Sequence, residues 1–399
     1  MSDQARLGLR ENWKQFSLLV LVNAFVGGMV GMERTIIPEL AMQEFSLATQ
    51  SAVLSFIVVF GLTKAASNYF AGALSNKIGR KNLLVYGWII ALPVPFFLIY
   101  ATHWNWIIVA NIFLGISQGL TWSSTVVMKI DLVGEKDRGF AMGLNEFAGY
   151  LAVALVALLT GYIASTYGLR PYPFYIGISL SLLGLLASIF LIKDTRKFAL
   201  HEKKFSLIEP LRHIFLDTTF RHKNLSSITQ AGLVNNLNDG MVWGLLPVLL
   251  AAKGYGLKEI GIVVSVYPAI WGLGQLFTGK LADKFPKKAL LFWGMLMQGI
   301  AIIFMGYATE MYYYILISVI LGLGTAIVYP AFLAAIADYT NPGQRAESIG
   351  VFRLWRDSGY VFGALLSGAL ADAFGLEVAV INIGVLTALS ALLIKFRMS

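Results

Sequence analysis

The stretch Gly72-Ala-Leu-Ser-Asn-Lys-Ile-Gly-Arg-Lys81 recurs 207 residues later as Gly279-Lys-Leu-Ala-Asp-Lys-Phe-Pro-Lys-Lys288. With the same offset, Asp131 aligns with Asp338. Further pairs at this offset are Arg138 with Arg345, Gly143 with Gly350, Gly161 with Gly368, and Gly168 with Gly375. Because so many matches keep one offset and one order, we interpret the chain as an internal duplication.

The composition of the chain excludes a soluble globular protein. Apolar residues make up 57% of the 399 residues and charged residues only 13%, whereas a soluble domain carries roughly 25% charged residues. Cysteine is absent, so disulfides, thiolate metal sites and cysteine nucleophiles are excluded. The four histidines fall in polar connecting segments, so we expect neither a metal site nor a cofactor.

Apolar runs long enough to cross a bilayer, which takes about 20 residues, occur twelve times. The predicted spans 1 to 12 are residues 16–38, 50–75, 82–101, 105–130, 139–166, 171–193, 225–250, 257–282, 287–307, 311–336, 346–371 and 377–396. We therefore expect an all-α membrane protein with twelve transmembrane helices in two six-helix halves, residues 1–193 and 225–399. Residues 194–224 are predicted to form a charged linker that contains an amphipathic helix.

Lysines and arginines between the spans predict the orientation of the chain. Nearly all of them lie in the loops that share a side with the termini, and the alternate loops carry only three. The positive-inside rule then places both termini and the linker in the cytoplasm, with the protein in the inner (plasma) membrane. This topology accounts for the net charge of +9, so we do not expect nucleic-acid binding.

The two halves have the same orientation, because each contains an even number of spans. They are therefore parallel repeats, related by an axis along the membrane normal. Such repeats enclose a central cleft, and rocking of one half against the other exposes the cleft to each side in turn. We expect alternating access of this kind, with a single chain sufficient for it.

The duplicated stretch resembles the loop signature of the major facilitator superfamily, Gly-x-Leu-Ala-Asp-x-x-Gly-Arg-Arg/Lys. The first copy departs from it at Asn76 and the second at Pro286. The resemblance covers the whole chain and implies a secondary transporter, similar to drug-efflux-like permeases of bacteria and archaea. An arginine in span 4 and a Gly-Pro pair in span 5, both frequent in the family's drug/proton antiporters, are missing. The resemblance implies a conformational gate at Gly72, Asn76, Gly79, Arg80, Lys81, Gly279, Asp283, Lys287 and Lys288.

Ionisable and polar residues inside the spans are the candidates for the substrate and ion site. A charge at the bilayer centre costs about 2.5–3.5 kcal/mol, so each one needs a reason. In the resembled fold, spans 1, 4, 7 and 10 line the cleft. Breaks predicted at Pro38 and Pro247 would expose backbone groups there. The candidate residues are Glu33, Arg34, Gln118, Trp122, Glu146, Asn235, Asn238, Asp239, Tyr329, Arg353, Arg356 and Asp357.

The intramembrane charges divide into carboxylates for coupling and arginines for binding. A proton-coupled carrier needs a carboxylate that takes up and releases a proton, and we rank Asp239 first, because it has no obvious local cation, followed by Glu33. Arg353 and Arg356 are candidates for holding an anionic group. The alternative is that both form structural ion pairs, with Glu146 and Asp357 as partners.

Several functions are compatible with these features. The first is proton-coupled efflux of an amphipathic compound, because aromatic rings with sparse amides suit such a solute. The second is proton-coupled uptake of an organic anion held by the intramembrane arginines. A membrane-embedded transferase would need a cluster of acid, base or nucleophile that the spans lack, and a scaffold would not need the charges. No ATP-binding loop is present, so we expect a proton or other ion gradient to drive transport and no enzyme activity.

Overall fold

The computed structural model describes residues 8–133, 138–195, 211–340 and 342–399. Within these ranges it leaves out the side chains of residues 72, 73, 75, 76, 138–140, 280, 283, 337, 342, 343, 345 and 346. Three of the predicted gate positions, Gly72, Asn76 and Asp283, therefore have their contacts outside the described part of the chain.

Six helical rods make up the first half. They are α1 (Trp13–Arg34, continued by Ile37–Gln43), α2 (Gln50–Val53, continued by Ser55–Ile78), α3 (Arg80–Ala91, continued by Val94–Tyr100), α4 (Trp104–Val133), α5 (Arg138–Tyr167) and α6 (Tyr175–Phe190). The predicted break in α1 is present, because Pro38 lies in the first turn of the continuing segment. A proline is accommodated at this position since its missing N–H would have no helical partner there.

Six further rods make up the second half. They are α7 (Lys223–Ala252), α8 (Leu257–Lys284), α9 (Lys287–Tyr307), α10 (Met311–Asp338), α11 (Pro342–Phe374) and α12 (Leu376–Arg397). The break predicted at Pro247 is wrong, because this proline lies inside the continuous helix α7. Packed neighbouring helices let a membrane helix tolerate the lost hydrogen bond. The predicted amphipathic helix of the linker, residues 206–215, lies mostly outside the described residues. The described part of the linker has helical turns from Ile214 to Arg221.

Nine helices in the described part of the chain are long and apolar enough to cross a membrane. The other three rods, α2, α7 and α11, are also long and carry polar residues such as Lys64, Asn235 and Arg356. The twelve rods match the predicted spans in number and order. The structure therefore has the all-helical, two-repeat architecture expected of this sequence.

The internal duplication is visible in the contacts as well as in the sequence. Arg80 at the start of α3 forms an ion pair with Asp131 near the end of α4, with a distance of 2.6 Å between Nε and Oδ2. At the matching positions of the second half, Lys287 lies 3.2 Å from Asp338. Each pair joins two helices of one half, so it stabilises that half as a unit.

Apolar packing joins the two halves at one end of the bundle. We call the end that carries both termini the terminal end, and the other the opposite end. Toward the opposite end a single apolar cluster contains residues of both halves, and Phe56 packs edge-on against Trp243 with centroids 5.6 Å apart. At the terminal end the described clusters around Phe16 and around Phe352 stay within their own halves. The bundle is therefore closed at the opposite end.

Candidate functional site

A buried ion pair joins the first half to the second near the middle of the bundle. Arg34 of α1 donates two parallel hydrogen bonds to Asp239 of α7, from Nη1 to Oδ1 and from Nη2 to Oδ2, each 3.1 Å long. Both side chains are almost fully buried. A bidentate pair of this kind fixes orientation as well as charge. The pair therefore neutralises two membrane charges and links the two repeats.

Two aromatic residues complete the surroundings of this pair. Tyr360 of α11 donates a hydrogen bond of 2.5 Å to Oδ2 of Asp239, and the Arg34 guanidinium lies 5.1 Å from the ring centroid of Trp243. The sequence shows no cation near Asp239 along the chain, but in the structure Arg34 is its partner. Its partner comes from a helix about 200 positions away along the chain, so no local pattern could indicate it.

Glu33 differs from its neighbour Arg34 because it has no ion-pair partner, and the Asn111 side chain beside it forms no hydrogen bond of normal geometry with it. The side chain is fully buried, and neither carboxylate oxygen makes a hydrogen bond. Successive residues on a helix point about 100° apart, so Glu33 faces away from the ion pair and towards Asn111 of α4. A fully buried carboxylate without a hydrogen bond or cation is costly in its charged form. Glu33 is therefore suited to bind and release a proton.

A small central cavity lies between the halves on the terminal side of the ion pair. Its lining residues are Lys64, Asn68, Trp122, Ser123, Tyr150, Asn236, Tyr329, Arg353 and Arg356. The Lys64 ammonium lies among three aromatic rings, at 5.4 Å from Phe60, 5.8 Å from Trp122 and 5.0 Å from Tyr360. The cavity is therefore cationic and aromatic in character. Among the described residues, no three His, Asp or Glu side chains lie close enough to hold a metal ion.

Asp357 is the centre of a hydrogen-bond network beside this cavity. It accepts hydrogen bonds from Nε and Nη2 of Arg356, at 2.8 and 2.6 Å, and from the amides of Asn68 and Asn236, at 2.6 and 3.4 Å. The bond from Asn68 crosses from α2 to α11 and therefore joins the halves. Arg356 also donates to the Tyr329 hydroxyl at 2.5 Å. The structural pairing expected for Arg356 is thus formed with Asp357.

Glu146 and Arg353, which occupy matching positions in the two repeats, are not paired with each other. Glu146 accepts hydrogen bonds from Trp122 and Asn145, at 3.2 and 2.8 Å, through one carboxylate oxygen. The Nε of Arg353 has no partner, and no ion pair is formed by this residue. The expected pairing of both arginines with carboxylates therefore holds for only one of them, Arg356.

Three predicted site residues are used elsewhere, in packing between helices. Gln118 donates to the backbone carbonyl of Val26 at 2.7 Å, which ties α4 to α1. Asn238 donates to Gln298 at 3.1 Å, and Gln298 donates to Asn235 at 3.1 Å. None of the three lines the central cavity. The hydrogen bonds that they form stay within one half, and the structure does not bring these residues to the cavity.

Several cavity residues are absent from the set that the sequence predicts. They are Lys64, Asn68, Ser123, Tyr150 and Asn236. A signal was available for two of them, since Lys64 and Asn68 are four residues apart and share one face of α2. For Tyr150 and Asn236, only the packing of the helices shows that both line the central cavity.

The described gate residues form contacts inside each half. Gly79 adopts φ of 96°, a backbone conformation that favours glycine, and this turn places Arg80 at the first position of α3. The Lys81 backbone N–H donates to Asp194 at 3.0 Å, and its ammonium donates to the Ile189 carbonyl at 2.7 Å. These bonds join the start of α3 to the end of α6.

A second contact between the halves lies at the opposite end. Asp372, beyond the predicted end of span 11, accepts hydrogen bonds from the Gln50 and Ser51 backbone N–H groups, at 2.6 and 3.1 Å, and from the Ser51 hydroxyl at 2.6 Å. Desolvation alone would raise the pKa of Asp372, but these hydrogen bonds outweigh it and lower the pKa below its ordinary value. The ionised carboxylate therefore holds the first turn of α2 against α11.

The sequence is similar to transporters over nearly its whole length. The Major Facilitator Superfamily profile matches residues 19–233 and again residues 228–398. One relative is the "Proton-coupled antiporter flippase LtaA" of Staphylococcus haemolyticus, 27% identical over 93% of this chain and 90% of the relative. Another is "Multidrug resistance protein 2" of Bacillus subtilis, 21% identical over 90% of this chain and 89% of the relative.

Solved structures share the fold. The human organic anion transporter MFSD10 superposes with a TM-score of 0.74 at 13% identity, covering 96% of this chain and 99% of the other. A POT family transporter in complex with a thioalcohol-conjugated peptide gives a TM-score of 0.76 at 14% identity, covering 95% of each chain. With the profile matched across both repeats and the twelve-rod architecture in place, this chain belongs to the major facilitator superfamily.

Proposed function

We propose that this transporter exports an amphipathic organic solute in exchange for protons. The proposal is based mainly on Glu33, whose carboxylate is fully buried and forms no hydrogen bond. It lies next to Arg34, whose ion pair with Asp239 joins the two halves. A proton on Glu33 would therefore be gained or lost beside the contact that changes when the halves rock.

This arrangement changes the order of the coupling candidates. Asp239 is held by Arg34 and Tyr360, so its charge is compensated by two hydrogen-bond donors of other helices. Glu33 has no such compensation, which makes its protonation sensitive to whether water reaches it. We therefore rank Glu33 first as the proton carrier, with Asp239 as part of the hinge between the halves.

The relatives support this choice of transport class. LtaA is named a proton-coupled antiporter and Multidrug resistance protein 2 a resistance protein, and both align over most of this chain. Both names fit efflux driven by protons. The fold and the relatives are those of transporters, so we propose no enzyme activity, and the cleft is complete within one chain.

We propose that the cleft opens at the terminal end, because the apolar packing between the halves lies toward the opposite end. If the lysine- and arginine-rich terminal end lies in the cytoplasm, as the positive-inside rule indicates, the protein lies in the plasma membrane with its cleft directed towards the cytoplasm. In that state an exporter takes up its solute. We further propose that the ion pairs Arg80–Asp131 and Lys287–Asp338 keep each half rigid while the gate opens and closes.

Uptake of an organic anion together with protons is the second candidate. It is favoured by Arg353, which reaches the cavity with no carboxylate partner. In this alternative the solute and the proton move in the same direction. The two functions therefore differ in the sign of their response to a pH gradient.

Proteoliposomes with an imposed pH gradient separate these alternatives. We would use naphthalene sulfonate and naphthylmethyl trimethylammonium as probes, because both are permanently charged and neither follows a pH gradient by passive partition. An exchanger accumulates its probe when the lumen is acidic, since protons leave as the probe enters. A symporter accumulates it when the lumen is alkaline. The direction of probe accumulation is set by the pH gradient and not by the orientation of the inserted protein, so a mixture of orientations gives the same sign.

Three outcomes decide the proposal. Accumulation of either probe with an acidic lumen supports exchange. Accumulation with an alkaline lumen replaces it with the second candidate. If neither gradient moves either probe beyond protein-free liposomes, while the purified protein binds one of them, proton-coupled transport of such compounds is excluded.

A further inference from the structure

Two cations line the central cavity without an anionic partner. Lys64 of α2 is 8% exposed and forms neither a hydrogen bond nor an ion pair with any described residue. Arg353 of α11 also lacks an ion pair, and its Nε has no hydrogen-bond partner. Lys64 is buried and Arg353 is partly buried, and charges removed from water in this way are normally paired. These two therefore have capacity for an anion that comes from outside the chain.

The carboxylates near the cavity do not fill this role. Asp357 is occupied by two nitrogens of Arg356 and by the amides of Asn68 and Asn236. Glu146 is held through one oxygen by Trp122 and Asn145, and it is not among the residues that line the cavity. Neither carboxylate lies within ion-pair distance of Lys64 or Arg353.

We infer that the cavity binds the anionic oxyacid group of its solute between Lys64 and Arg353, which makes the transported class an organic anion with an apolar body. The inference rests on the proposed transport function, because it names the solute of the same cleft. Lysine supplies a compact charge with rotatable donors, and arginine supplies a planar fork that matches carboxylate, phosphate or sulfonate oxygens. Neither cation has to give up a carboxylate partner to take up such a group, because Asp357 is paired with Arg356.

The rest of the lining suits the apolar body of such a solute. Trp122 and Tyr329 occupy matching positions in the two repeats and both face the cavity. Tyr150 stacks on Trp271 of the other half, with ring centroids 3.5 Å apart. Aromatic walls hold a flat or apolar group by contact area while the polar end is fixed elsewhere. An amphipathic anion matches both parts of the lining, and its apolar body requires the halves to move apart to admit it, because the cavity in this state has room for only about 10 Å³.

Lys64 and Arg353 also belong to different halves. A single anion placed between them would contact both repeats at once, as the Arg34–Asp239 pair does within the protein. Binding therefore favours the arrangement in which the two halves are close around the cavity. This gives the solute a means to promote the transition that carries it across, since a ligand shifts an equilibrium only through its different affinity for the two states.

The test compares three probes that share one naphthalene body. Binding of naphthalene sulfonate, naphthylmethyl trimethylammonium and naphthalenemethanol is measured by calorimetry on the full chain in lipid nanodiscs. We expect the sulfonate to bind most tightly. Lys64→Gln and Arg353→Gln should each weaken sulfonate binding about tenfold, as loss of one charged hydrogen bond does, and Lys64→Arg should retain it. The control Lys258→Gln removes an exposed cation at the opposite end and should change nothing.

Naphthalenemethanol reports whether each variant still has a folded site, because its binding does not require the cations. Tighter binding of the trimethylammonium probe than of the sulfonate would overturn the inference. So would an equal loss of affinity for all three probes in Lys64→Gln. If the sulfonate binds as expected but no pH gradient drives it, the proposed function fails and the inference stands. If a gradient drives only the trimethylammonium probe, the function stands and the inference fails.

Discussion

Two neighbouring residues in α1 have opposite environments. Arg34 forms a bidentate ion pair with Asp239 across the halves, whereas Glu33 is buried without a hydrogen bond. The sequence shows that both charges lie in a span, and it predicts that they point in different directions. It cannot show that Arg34 meets Asp239, because that contact depends on how two distant helices pack. Predicting chemistry from the sequence therefore works for the residue types and fails for their partners.

This difference predicts opposite effects of neutral substitutions on stability. Asp239→Asn leaves the Arg34 guanidinium buried without its anion, so we expect a loss of about 3–5 kcal/mol in the free energy of unfolding. Glu33→Gln removes no hydrogen bond and should leave stability unchanged or raised. The melting temperatures of the purified variants measure this. The double variant Arg34→Gln with Asp239→Asn should recover part of the loss, and equal destabilisation by Asp239→Asn and Glu33→Gln would contradict the assignment.

Close approach of glycines to neighbouring backbones positions the helices that carry these charges. A Cβ on Gly363 of α11 would lie 2.3 Å from the carbonyl oxygen of Leu237 in α7, and a Cβ on Gly31 of α1 would lie 2.4 Å from that of Val153 in α5. Small residues allow membrane helices to pack this closely. The pairs α1–α5 and α7–α11 are equivalent in the two repeats. Close glycine packing therefore positions both Arg34 on α1 and Tyr360 on α11.

Adding one methyl group tests this packing. Gly363→Ala forces α7 and α11 apart, and overpacking of this kind costs about 1–3 kcal/mol of stability. Gly350→Ala is a matched control in the same helix, because a Cβ there has no atom within 4 Å. We expect a lower melting temperature and a weaker Tyr360–Asp239 contact only for Gly363→Ala. Equal melting temperatures for the two variants would show that the close approach is not needed.

The Asp372 contact with Ser51 predicts how pH acts on the opposite end. The pKa of Asp372 is lowered in the closed state, so the contact is fully present above the ordinary value of 3.8 and is lost as pH falls through the lowered pKa. Acid on that side should therefore favour opening. Asp372→Asn should open the end at neutral pH and remove this part of the response.

The chain lacks cysteine, so this prediction can be checked with spin labels placed only where they are wanted. Cysteines introduced for Gln43 in α1 and Lys258 in α8 lie on the exposed surface of the two halves at the opposite end. Electron–electron distance measurements should show a longer distance in Asp372→Asn than in the parent at neutral pH. An unchanged distance in the variant, or a shorter one in acid, would contradict a role in closure.

Across the two repeats, the sequence predicts the architecture more fully than the site. The offset of 207 residues predicts that Arg80 and Lys287 are equivalent, and both pair with the equivalent aspartates. Residues that hold the helices of each half together are thus the same, or similar, in the two repeats. The site depends on departures from it, such as Lys64, whose counterpart is Trp271, and Glu33, whose counterpart is an apolar residue. No periodic pattern marks such positions, so only the packed structure shows which of them face one cavity.

We propose that Glu33 carries the proton that is exchanged for solute. This role is measured in proteoliposomes with an acidic lumen and an entrapped pH dye, to which naphthalene sulfonate is added outside. We expect lumenal alkalinisation with the parent protein and with Glu39→Gln, which neutralises an outer carboxylate of α1. Glu33→Gln should exchange labelled for unlabelled sulfonate at equal pH but move no protons. Alkalinisation by Glu33→Gln at the parent rate would contradict the claim.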